Sequence, residues 1–189
     1  MCDIKALTSG NCGKTVSAGT TAVLYLTSAE ELNGFPQTQF EKTAATTPGA
    51  KLTLDDAFDF STAPVGKGYW RKYPIMIDYS MIEAKTAGEL GNISFGNNLP
   101  FFLIGTNAEV REFAMTIANC CIVALIETRE GEISVIGRDN DPAHVSEITI
   151  STQKKVGESS GAAFNLQCNN GKPWYTYPKS LGIDVLPNV

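Results

Sequence analysis

At 189 residues, with 43% hydrophobic and 19% charged side chains, the chain is of single-domain size and can bury a core without cross-links. A formal net charge of −5 argues against nonspecific nucleic-acid binding, which needs a basic footprint that Lys154-Lys155 alone does not supply. No apolar stretch approaches the roughly 18 residues of a membrane span, and the N-terminus lacks the basic start and apolar segment of a signal peptide, so folding in a cytosol is expected.

A Gly/Ser-rich entry segment, "SGNCGKTVSAG", precedes "GTTAVLYLTS", residues 19–28, whose Val, Leu, Tyr and Thr content predicts a strand. Residues 36–68 are loose, with "TAATTPGAK" and "STAPVGKG" reading as loops and "KLTLDDAFDF" between them as a short strand. A loop-rich insertion of this length is either functional or an excursion packed on its own side chains. Phe40, Phe58 and Phe60 give it apolar content that must be covered. In "YWRKYPIMIDYSMIEAK", residues 69–85, strand composition after Pro74 puts Ile75, Ile77, Tyr79 and Met81 on one face. Arg71-Lys72 between Trp70 and Tyr73 reads as a stacking platform or as a strand with one wet face. A further strand is expected around Phe101–Ile104.

"TNAEVREFAMTIAN", residues 106–119, predicts the one clear helix. Thr106 and Glu109 fit a capping box, and Val110, Phe113, Ala114 and Ile117 form one apolar stripe at i, i+3, i+4, i+7 spacing. Two apolar runs follow, Cys120–Ile126 and Ile133–Ile136, joined by a charged turn at Glu130-Gly131, which predicts a β-hairpin. The first arm is apolar at every position, so both of its faces must be covered. Ile122, Ala124 and Ile126 lie on one face, Val123 and Leu125 on the other.

"VSEITIST" predicts a strand with Ser146, Ile148, Ile150 and Thr152 on one face and Val145, Glu147, Thr149 and Ser151 on the other. "AAFNLQCN" predicts a partner strand with an apolar face (Ala162, Phe164, Leu166, Cys168) and a polar one (Ala163, Asn165, Gln167, Asn169). The tail is expected to pack on the surface through Trp174 and Tyr175. Six to nine strands and one helix make a mainly β, α+β fold: an antiparallel β-sandwich or barrel with one flanking helix, in a single domain spanning residues 1–189.

No catalytic constellation emerges. His144 is the only histidine, and no G-x-S-x-G elbow occurs. Gly10–Thr15 gives G-x-x-G-K-T, two residues short of a phosphate loop. Asp55, Asp56 and Asp59 lack the alternating oxygens and central Gly of a calcium loop, and Asp139, Asn140 and Asp141 have D-x-D spacing without a downstream Glu; each set reads as turn formers, with a weak cation site as the alternative. The cysteines, Cys2, Cys12, Cys120, Cys121 and Cys168, form no CxxC pair and read as small buried hydrophobes. Neither an enzyme nor a metal or other cofactor is expected.

Several segments together resemble one family. "SGNCGKTVSAGTTAVLYLTSAEEL" is similar to the opening of phage tail-tube-like structural proteins. "NAEVREFAMTIAN" with "CCIVALIETREGEISVIGRDND" resembles their helix and hairpin with a charged Gly turn, and "EITISTQKKVGESSGAAFNLQCNNGKP" their closing hairpin. The likeness covers residues 8–34 and 106–172; it departs at Val16-Ser17-Ala18-Gly19, where the family more often has a double glycine, and does not extend to the middle section. The resemblance implies a tailed-bacteriophage virion protein, a tail tube subunit that self-assembles into stacked, hexameric rings and contacts other tail proteins. DNA passes through the tube without specific binding. It implies assembly in the host cytoplasm and residence in the virion tail. Subunit interfaces would then involve Phe40, Phe58, Phe60, Ile122, Val123 and Leu125, a neighbour covering the second face of the hairpin arm. The lumen would be lined by Glu147, Thr149, Asn165 and Gln167. Without a neighbour, the helix alone would have to cover that face. Alternatives are a tail terminator, neck ring or head-decoration protein, or a monomeric β-sandwich binding module with its site among the aromatic residues of 69–79 and 174–177.

Overall fold

The computed structural model describes residues 20–60, 69–89, 91–152 and 160–185. The G-x-x-G-K-T segment, Cys2 and Cys12 lie outside them.

Two antiparallel sheets form a sandwich. One has the order β2-β1-β5-β6-β9, built from β1 (Thr20–Ser28), β2 (Arg71–Pro74), β5 (Ile122–Thr128), β6 (Ile133–Ile136) and β9 (Tyr175–Tyr177). The other has the order β3-β4-β8-β7, from β3 (Glu83–Ala87), β4 (Ser94–Ile104), β7 (His144–Ser151) and β8 (Gly161–Asn170). No barrel closes among the described residues: the fold is the mainly β sandwich with a flanking helix. Between the sheets lies the main core, with Leu24, Leu26, Ile122, Ala124 and Ile126 from one side and Leu99, Phe101, Phe164 and Leu166 from the other. Helix α2 (Ala108–Ile117) seals it with Ala114 and Ile117, while Phe113 meets Phe164 edge-on at 5.5 Å and Tyr73 at 4.7 Å. The helix cap is Asn107 rather than Thr106: its side chain accepts from Val110 N at 3.1 Å. Both residue types cap well, and the start one residue later leaves the apolar stripe turned to the core.

The all-apolar arm β5 is covered on both faces by the chain itself. Val123 and Leu125 turn away from the main core into a second one, with Leu32, Leu54, Phe58, Trp70, Val135, Tyr175 and Tyr177. That cover is the described part of the loop-rich insertion. It forms no strand at residues 51–60. It holds a short helix, α1 (Gln39–Thr43), started by a capping box in which Glu41 N donates to Thr38 Oγ1 and Thr38 N to Glu41 Oε2. Isolated bridges tie Leu32 to Phe60 and Thr53 to Thr176. Neither a neighbour nor the helix is needed over this face, which corrects both sequence expectations: an aromatic cluster does it, with Phe58 edge-on to Trp70 at 5.1 Å and to Phe35 at 5.5 Å. Tyr175 and Tyr177 are likewise buried in β9 rather than laid on the surface.

Two prolines show how position decides their effect. Pro74 ends the edge strand β2, where its missing N–H breaks no ladder bond. The expected strand after it is instead a 3-10 turn at Ile77–Tyr79 followed by β3. Pro100 sits inside β4, which runs from Ser94 instead of beginning near Phe101. Paired residues alternate in which neighbour they bond. The bond from Gly105 N to Ser160 O turns Pro100 away from β8, toward a side where β3 has already ended at Asn98.

Candidate assembly surface

The outer face of the four-stranded sheet brings together all four residues expected at a lumen. Glu147 lies opposite Asn165, and Thr149 opposite Ala163. Gln167 pairs with His144 on β7 and with Asn98 on β4. Glu147 and Thr149 are exposed, Asn165 and Gln167 half-buried. With Asn98 and Pro100, three of the four (Glu147, Thr149 and Asn165) line a shallow hollow of about 240 Å³. The face carries few charges: Lys85 pairs with Glu83 at 3.0 Å, and Glu147 has no ion-pair partner among the described residues. At one end the face is closed by Tyr79, stacked on Phe102 at 5.1 Å.

A bulge between Val145 and Glu147 resets the alternation of β7. Val145 therefore packs with Ile148 against the core instead of sharing the Glu147 face. Beyond the bulge, Ile148 and Ile150 turn their backbone groups away from β8 toward the sheet edge. Ile150 is 42% exposed there.

The four sheet edges differ. At β9, Leu54 N donates to Thr176 O and Thr176 N to Leu52 O, so the insertion adds to that edge. At β2, Pro74 removes an outward donor, and Trp70 N donates to Asp184 O at the strand's entry. Edges β3 and β7 have no backbone partner among the described residues. β3 is short and carries Lys85, a common edge protection. β7 has eight residues, with neither Pro nor Lys. Asn98, Lys85 and Ile150 were not singled out in the sequence. The pairing of β3 with β4 at Ser94–Asn98 hid the first two, and the third reads only as a face residue of β7 because the sequence does not show which strand lies at the sheet edge.

The expected interface residues scatter. Phe40 is exposed at 43%, and Lys51 stands over its ring at 5.1 Å. Phe60 is half-buried against Trp70. Phe58, Ile122, Val123 and Leu125 are buried within the chain's own cores, so they form no surface for a neighbour, which corrects that assignment. The aromatic residues considered for a binding module form no exposed site either: Trp70, Tyr175 and Tyr177 are buried together in the second core. Trp70 is 1% exposed, Tyr73 packs on Phe113, and Trp174 and Tyr175 belong to different cores.

Beside α2 a mostly apolar cleft of about 280 Å³ is lined by Leu26, Tyr73, Phe113, Ile117 and Cys120. At its rim Arg71 holds Glu31 by two bonds of 3.0 and 3.1 Å, which raises the guanidinium pKa further. The carboxylates are engaged structurally. Lys42 pairs with Asp55 and Asp56, Asp59 accepts from Asn33, and Asp139 pairs with Arg138. No cluster with metal-ligand geometry occurs among the described residues. Burial raises the Cys168 thiol pKa, which keeps it protonated and inert. Cys121, by contrast with the sequence expectation, is exposed. No helix among the described residues is long and apolar enough to cross a membrane.

No family model, curated protein or solved structure matches the chain.

Proposed function

We propose that the chain is a structural subunit of a phage tail tube, which works by joining copies of itself into stacked, hexameric rings around a DNA conduit, without catalysis. The observation that carries this reading is the contrast among the sheet edges. The five-stranded sheet has its β9 edge extended by its own chain and its short β2 edge blunted by Pro74 and bridged at Trp70, whereas the polar-faced four-stranded sheet presents two edges without a backbone partner among the described residues, one of them the eight-residue β7. Two different open edges on one sheet suit a head-to-tail contact, and such contacts form rings when the rotation between subunits closes and open filaments when it does not. The sheets of successive subunits would then form one wall, with Glu147, Thr149, Asn165 and Gln167 toward the lumen. Other tail proteins would meet the ends of the tube, and the assembly would reside in the virion after forming in the host cytoplasm.

The test is Ile150→Pro. The Ile150 N–H points away from β8, so the ring removes an outward donor and spares the β7–β8 ladder. The variant should keep the native circular dichroism spectrum and form no rings. Normal rings from a folded variant would remove β7 from the interface. A chain that stays monomeric even unmodified would overturn the reading.

A further inference from the structure

The chain contains two Asn-Gly dipeptides, Asn33-Gly34 and Asn170-Gly171. Asn-Gly is the pair most prone to cyclise, because a glycine nitrogen is uncrowded by any side chain. The structure treats the two sites differently. Asn33 and Gly34 are both exposed; Gly34 has φ +89° and open space around it, and its N–H donates to no backbone carbonyl among the described residues. Asn170 is 9% exposed, its backbone is held in β8 opposite Phe95, and its Oδ1 accepts from Lys172 N.

We infer that Asn33 is a site of spontaneous deamidation that loosens the cover of the second core. The deprotonated Gly34 nitrogen attacks Cγ of Asn33. The bond from Cγ to Nδ2 breaks, ammonia leaves with the proton, and a five-membered succinimide remains. Water opens the ring at either carbonyl, leaving aspartate or isoaspartate. The sum is amide plus water to carboxylate plus ammonium, with no redox partner required.

The consequence follows from what Asn33 holds. Its Nδ2 donates to Asp59 Oδ2 at 3.0 Å, and its backbone N to Asp59 O at 2.9 Å, beside the Leu32–Phe60 bridge. This clasp ties the start of the insertion to residues 59–60. Conversion replaces a donor by a carboxylate facing the Asp59 carboxylate, and like charges at that separation repel. Isoaspartate also adds a methylene to the main chain between Leu32 and Phe35, both of which pack in the second core. The inference does not depend on the assembly reading.

The experiment ages the full chain in mildly alkaline buffer at physiological temperature. Peptide mapping by mass spectrometry locates aspartate and isoaspartate, and hydrogen exchange follows the amides. Asn33 should convert first, roughly tenfold or more ahead of Asn170, whose strand must open before it reacts. Exchange should then rise at residues 32–33 and 59–60 and stay unchanged in the β4–β8 ladder. Asn33→Gln, which would close a less favourable six-membered ring, should age without that rise. Conversion of Asn170 first or at an equal rate would overturn the inference, as would a converted Asn33 with unchanged exchange.

Discussion

Truncating Leu125 to alanine separates a face covered by the chain itself from one covered by a neighbour. Leu125 is fully buried on the side of β5 turned away from the main core, in the cluster with Leu54, Phe58 and Tyr177. Removing three carbons at about 0.8 kcal/mol each accounts for about 2.4 kcal/mol. The cavity left between β5 and the insertion raises the total to about 3–4 kcal/mol. For a chain of this size each kcal/mol moves Tm by about 2–4 °C, so a drop of about 6–16 °C is expected. The assay is thermal and urea unfolding at several protein concentrations, with sedimentation confirming the monomer at the lowest. The loss should be the same at every concentration. A loss below about 1 kcal/mol would match surface substitutions instead. A loss seen only where the protein assembles would mean that a neighbour covers this face. Either result would refute the two-core description.

Ile122→Asp and Val123→Asp should each be severe, since they place an unpaired charge in different cores and such burial costs several kcal/mol; expression and circular dichroism read this, and a well-folded variant would show that its face is open. The Glu41 carboxyl is held below its ordinary pKa, first by the Thr38 backbone N–H, against the opposing effect of burial, with the Thr38 side chain and then Lys172 adding to the lowering. Its contribution to stability is present in full above the unfolded carboxylate pKa and is lost as pH falls through the depressed one. Glu41→Gln should therefore flatten the acid limb of the stability curve, and an unchanged limb would remove Glu41 from it. Glu147→Lys should leave assemblies intact while making them retain DNA at low salt, because each added cation near phosphate favours binding; tight binding by the unmodified protein, or no change in the variant, would place Glu147 outside the lumen.

Periodicity revealed the elements whose two sides differ in chemistry. The α2 stripe, the β5–β6 hairpin and the alternation of β8 all stand where the sequence puts them. Elsewhere a single residue or a distant partner decided the outcome. The Val145 side depends on one bulge. The 75–81 run looks alternating, yet Ser80 folds back toward Thr20 Oγ1, which donates to its carbonyl, and the chain turns there. The polar face with Glu147, Thr149, Asn165 and Gln167 was legible because it needs only the alternation of two neighbouring strands. The insertion's role was not. Phe58 reads equally well as an interface residue or a core residue until Trp70 and Tyr177 are brought beside it from residues 70 and 177.

Self-assembly is the central claim, and electron microscopy of the purified, unmodified protein over a rising concentration series tests it most directly. Rings of uniform diameter that stack into tubes as concentration increases are the expected result. Dispersed single particles at every concentration, with sedimentation showing only monomer, would contradict it.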